Sequence, residues 1–121
     1  MKAAVIAVSL LAGCVAPPPP VDLAELERRA GPRPQNLEPE IRRWMRDQLR
    51  DPDSVRDLTI GEPYAAQCIY SSARDSRYAW SVPADFNAKN AYGGYTGRTR
   101  YYFWFHNDRL LSGGRDPRIC P

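Results

Sequence analysis

Histidine is almost missing from this chain. His106 is the only one, and the three cysteines fall at positions 14, 68 and 120 with no C-x-x-C spacing. Zinc and thioredoxin-type redox sites need clustered ligands or paired thiols, so neither chemistry has a sequence basis here, and no metal or cofactor is expected. G-x-S-x-G and H-E-x-x-H are lacking as well. Ser71, Ser72, Ser81, Thr96 and His106 remain as isolated hydroxyls and one imidazole, without a catalytic arrangement around them. Asp51 and Asp53 sit where turn-forming carboxylates are common. The chain is therefore expected to be non-catalytic. Strong charge is lacking too. Seventeen basic and fourteen acidic side chains give +3, falling to +2 if Lys2 is removed with a leader. Dispersed arginines at that balance leave no nucleic-acid footprint. After Cys14 no apolar run is long enough to span a bilayer.

What is present begins with an address. Lys2 followed by the apolar run Ala3 to Ala12 reads as a secretory leader over residues 1–13. The tetrapeptide Leu11-Ala12-Gly13-Cys14 resembles the lipobox of bacterial lipoproteins, in which the cysteine is lipidated and becomes the first mature residue. That resemblance implies a membrane anchor on Cys14. Val15 follows it where an Asp would favour inner-membrane retention, so the expected place is the outer membrane, facing the periplasm. Acyl burial contributes about 0.8 kcal/mol per CH2, and two or more chains hold a protein firmly at a bilayer.

With Cys14 committed to lipid, Cys68 and Cys120 form an even pair in an oxidising compartment. A disulfide between them is expected. Closing a loop of about 52 residues contributes roughly 4 kcal/mol in the loop-entropy picture.

Pro17 to Pro20 favour an extended spacer. Residues 21–30 have the pattern of a short helix, isolated and marginal, broken by Gly31, Pro32 and Pro34. Residues 14–35 are accordingly read as anchor and flexible spacer, and residues 36–121 as one domain. In that domain Ile41, Trp44, Met45 and Leu49 share one face of a helix with Asn36 as N-cap and Asp51-Pro52 as stop. Strands are expected over 55–62 and 64–72, with Gly61 to Pro63 between them. A third strand follows, with Tyr78, Trp80, Val82, Ala84 and Phe86 on one face. Pro83 lacks a backbone donor and suggests an edge or a bulge there. Tyr101 to His106 and Arg109 to Ser112 read as a hairpin turning at Asn107-Asp108. The expected class is α+β: one amphipathic helix on a small antiparallel sheet, a meander of about four to five strands.

The most unusual stretch is N-A-K-N-A-Y-G-G-Y-T-G, residues 87–97, with D-P-D-S-V upstream at 51–55. Together they resemble a family of small bacterial secreted proteins and lipoproteins in which a helix ending in a D-P-x-S-like segment precedes a sheet, with an N-A-K-N-x-x-G-G-Y-x-G loop between late strands. Asn87, Ala88, Lys89, Asn90, Gly93, Gly94, Tyr95 and Gly97 all match. The strand before the loop lacks the Cys-Gly pair often found in that family. The resemblance implies a fold and brings no catalytic residues. A phosphate-binding loop would need its Lys after the glycines and a helix beyond, and here Lys89 precedes them and a strand follows. Two readings of the loop stay open together. The glycines and Asn87 and Asn90 build a demanding turn, and Lys89, Asn90, Tyr92 and Tyr95 form a contact patch for an envelope protein or glycan. The leading functional expectation is a lipid-anchored binding or accessory module. The alternatives are a structural or stress-related envelope component and, with least support, a periplasmic hydrolase.

Overall fold

A computed structural model describes residues 22–72 and 75–120, together with positions 4, 13, 14, 16, 17 and 20. Most of the expected leader and half of the Pro17 to Pro20 run lie outside the described residues, as do the side chains of Ser71 and Ser72. Two helices, α1 (Leu23–Ala30) and α2 (Leu37–Gln48), precede five strands. These are β1 (Arg56–Ile60), β2 (Tyr64–Ser72), β3 (Asp75–Asn87), β4 (Thr99–His106) and β5 (Arg109–Gly114). All strand pairings within the sheet are antiparallel, and the α+β class read from the sequence is the one observed. No helix among the described residues is long and apolar enough to cross a membrane.

The organising element is β3. Its thirteen residues are long enough to pair with two short strands in tandem along one edge, β2 beside its first half and β1 beside its second, while β4 runs along the other edge. Pro83 falls at the seam, where β1 ends opposite Ala84 and β2 begins opposite Ser81. The expectation of an edge strand or a bulge at Pro83 is thus overturned. The missing N–H points into the gap between two neighbours, where no partner strand needs it, and the Pro83 carbonyl accepts from Gly61 N–H at 2.8 Å. β1 and β2 meet at Gly61 to Pro63 without pairing with each other.

Alternation gives the sheet two unlike faces. Trp80, Val82, Ala84 and Phe86 of β3 and Phe103 and Phe105 of β4 are buried against Ile41 and Met45 of α2. Trp44 lies edge-on to Phe103, with ring centres 5.1 Å apart, and fits because Gly113 of β5 offers no side chain beneath it. The opposite face buries Ala79, Trp104, Cys68 and Cys120. The C-terminal segment closes over it, held by the expected Cys68–Cys120 disulfide and by two backbone bonds to Ile69, from its N–H to Arg118 O and to its O from Cys120 N–H.

The α1 segment belongs to this packed unit, which begins earlier than the residue-36 boundary read from the sequence. Ala30 is fully buried. Trp80 donates its indole N–H to Gly31 O at 2.9 Å, and the Arg29 and Arg33 guanidinium groups lie over Tyr78 and Trp80. An isolated eight-residue helix is marginal in water, but a buried indole that needs an acceptor gives this one a tertiary anchor. Helix α2 starts where expected, after Asn36, but is capped by a different side chain. Asn36 occupies the N-cap position without a side-chain cap bond. Asp108, from the β4–β5 turn, accepts the N–H groups of Gln35 and Asn36 instead.

Candidate functional site

The loop after β3 is built on its side-chain amides. Asn87 is nearly buried, and its Oδ1 accepts the N–H of Gly97 at 3.1 Å, drawing the two ends of the loop together. Asn90 Oδ1 accepts from Tyr92 and Gly94, and its main chain bonds both ways across the tip: its N–H to Gly94 O, and its O from Gly93 N–H. Gly93 and Gly97 have φ of 80° and 94°, a region costly for residues with a Cβ. Gly94 has no positive φ, so the demanding positions are 93 and 97.

Ser54 fastens this loop to the upstream D-P-D-S-V segment. Its hydroxyl donates to Asp51 O at 2.7 Å and accepts the Lys89 N–H at 2.8 Å, while its carbonyl accepts from the Tyr95 hydroxyl at 3.0 Å. The two parts of the sequence signature therefore touch, and Ser54 is the contact. Arg56 adds a guanidinium 3.5 Å over the Tyr95 ring, with Lys89 Nζ farther off at 5.6 Å. Sequence reasoning singled out neither Ser54 nor Arg56 individually. The D-P-x-S motif was the available signal.

Of the candidate loop residues Asn87, Lys89, Asn90, Tyr92, Gly93, Gly94, Tyr95 and Gly97, the backbone and amide bonds commit Asn87, Asn90, Gly93 and Gly97 to the turn, and Tyr95 braces it. Tyr92 stands apart at 96% exposed on the tip. Lys89 is half-buried and lines a cleft of about 260 Å3 between the loop, the end of α2 and the start of β4. Asn90, Thr96 and Thr99 share that cleft with Gln48 and Arg50, over walls supplied by Leu49, Phe86, Ala88 and Tyr101. No carboxylate, imidazole or thiol lines it.

Other polar groups lie elsewhere. His106 lines a separate cleft of about 330 Å3 with Arg29, Arg77 and Leu111, and its buried Nδ1 has no hydrogen-bond partner among the described residues. Ser81 is fully buried and its hydroxyl likewise lacks a partner, so it is not engaged by a base. Asp85 and Arg100 pair through two 2.9 Å bonds across β3 and β4, and the guanidinium holds that carboxyl below the usual carboxylate range. Among the described residues no group of three or more His, Cys, Asp or Glu is placed to hold a metal ion. Cys14 is exposed and unpaired. Compared with known protein families, curated proteins and solved structures, this chain matches none.

Proposed function

We propose that this protein is a lipid-anchored lipoprotein of the bacterial envelope whose α+β domain works as a non-catalytic binding module, with the 87–97 loop as its contact surface. The observation that carries the reading is Tyr92: a large aromatic side chain left 96% exposed on a loop whose base is fixed by the Asn87, Asn90 and Ser54 bonds. A fixed loop presents its apex without the ordering cost that weakens flexible binders, and tyrosine supplies contact area with few rotatable bonds. The cleft beside it carries cations, amides and hydroxyls without a general base, which favours recognition over turnover. Cys14, exposed ahead of Pro17 and Pro20, is the attachment point, outer-membrane and periplasm-facing by the Val15 argument.

A photo-reactive amino acid at position 92 in living cells tests this, with the same probe at Arg46 on the exposed side of α2 as control. A discrete adduct from position 92 alone is expected. A folded, lipidated protein that gives no adduct there, or equal adducts at both positions, would overturn the reading. Substituting Cys14→Ala should release the chain from the membrane fraction, and retention there would remove the anchor.

A further inference from the structure

The cleft beside the loop has a composition that selects its ligand. Arg50 and Lys89 both line it, and neither makes an ion pair among the described residues. Among the described residues no other lysine or arginine lines this cleft, and none of its lining residues is acidic. A cleft with two cations and no carboxylate attracts an anion.

Charge alone does not define the ligand. The cleft also receives the end of α2 at Gln48 and Leu49, where the last helical carbonyls lack intrahelical partners and carry partial negative charge. A bare anion is disfavoured beside them, whereas a ligand that brings hydroxyl donors together with its negative group satisfies both ends. The Asn90 side chain adds donors, because its oxygen is taken by Tyr92 and Gly94 and its amide protons are left over. Thr96 and Thr99 add hydroxyls, and the Tyr101 ring supplies an apolar wall. The volume, about 260 Å3, lies just below the roughly 300 Å3 at which ligand sites for drug-sized molecules begin, a size that suits about one sugar ring in the cleft itself.

We infer that this cleft binds an acidic sugar, one ring bearing a carboxylate or phosphate that meets Arg50 and Lys89 while its hydroxyls meet Thr96, Thr99 and the end of α2. The inference rests on the binding-module reading and gives that module a ligand class. Carboxylated amino sugars of the cell wall and phosphorylated sugars of glycolipid headgroups share this chemistry.

The test is calorimetric titration of the full-length protein in detergent with four probes: N-acetylmuramic acid, glucosamine 6-phosphate, neutral N-acetylglucosamine and inorganic phosphate. One or both acidic sugars should bind at least about tenfold more tightly than the neutral sugar and than inorganic phosphate. Which of the two binds distinguishes a wall glycan from a glycolipid headgroup. Arg50→Gln and Lys89→Gln should each weaken binding about tenfold, with Arg46→Gln unchanged and all three variants melting like the parent. Three results would each overturn the inference: neither acidic sugar binding at about 10 mM, a control probe binding as tightly, or binding indifferent to both cation substitutions. Failure here with a position-92 adduct intact would leave the binding module standing with a different ligand. Loss of both would remove the module as well.

Discussion

Ser54→Ala removes one oxygen atom and two hydrogen bonds. The Lys89 N–H, part-buried under the loop, loses its acceptor at 2.8 Å, and Asp51 O loses its donor at 2.7 Å. An unsatisfied, partly buried backbone donor costs about 1–2 kcal/mol and the lost second bond about 0.5, so destabilisation of about 2 kcal/mol is expected. For a domain of about 100 residues, that lowers Tm by roughly 8–15 °C. Thermal unfolding followed by far-ultraviolet circular dichroism measures the shift, and amide hydrogen exchange locates it, since protection at Lys89 should fall first. Ser54→Thr keeps the hydroxyl and should recover most of the loss. Tyr95→Phe removes only an exposed bond and should cost about 0.5 kcal/mol. A Ser54→Ala protein melting within about 3 °C of the parent, with Lys89 still protected, would show that the loop stands without this contact and refute the account of how the two motifs are joined.

Replacing Cys68 and Cys120 together by Ala opens a link across 52 positions and should cost about 4 kcal/mol in denaturant unfolding. A loss below about 1 kcal/mol would mean that the backbone bonds at Ile69 hold the tail unaided. Gly93→Ala and Gly97→Ala should each cost about 1 kcal/mol, because their φ angles are positive, while Gly94→Ala should be nearly neutral. Equal tolerance at all three would sink the turn geometry. Gly113→Ala should be worse, about 1–3 kcal/mol, since its new Cβ would sit 2.6 Å from Phe103 and 3.0 Å from Trp44. Finally, the N–H groups of Gln35 and Asn36 hold the Asp108 carboxyl below its ordinary range. Its stabilisation is thus present above about pH 4 and lost as pH falls through the lowered value. Asp108→Asn tolerates the φ of 60° and should flatten the acid side of a Tm-against-pH curve, and parallel curves for parent and variant would contradict this.

Much of this fold was legible because periodicity reports burial. Alternation from Trp80 to Phe86 placed the core face of β3, and helical spacing of Ile41 and Met45 placed that of α2. Asn107-Asp108 turned as read, with φ of 50° and 60° at the two positions. What escaped was set by partners distant in sequence. Pro83 is tolerated because two other strands leave a gap beside it, and α1 is held because Trp80 needs an acceptor that Gly31 provides. In the loop, glycine content marked a demanding turn but not which glycines carry positive φ. The role of Ser54 depends on a hydroxyl meeting an amide 35 positions away, and serine has no periodicity to betray that.

The rim of the sheet bears on how copies of this protein meet one another. A row of unpaired backbone groups along an outer strand is an invitation for another chain to add itself, and the proposed lipid tether, by concentrating molecules in two dimensions, would raise that hazard. Each outer strand here is interrupted. β1 has a register break with Asp57 at φ 56°, β2 is met near its end by the Arg118 to Cys120 segment, and β5 has its own register break, with Leu110 N–H turned to the Glu40 carboxylate. Neighbouring copies are thereby denied a straight strand to extend, which leaves the proposed contact loop between β3 and β4 free of competition from edge-to-edge pairing.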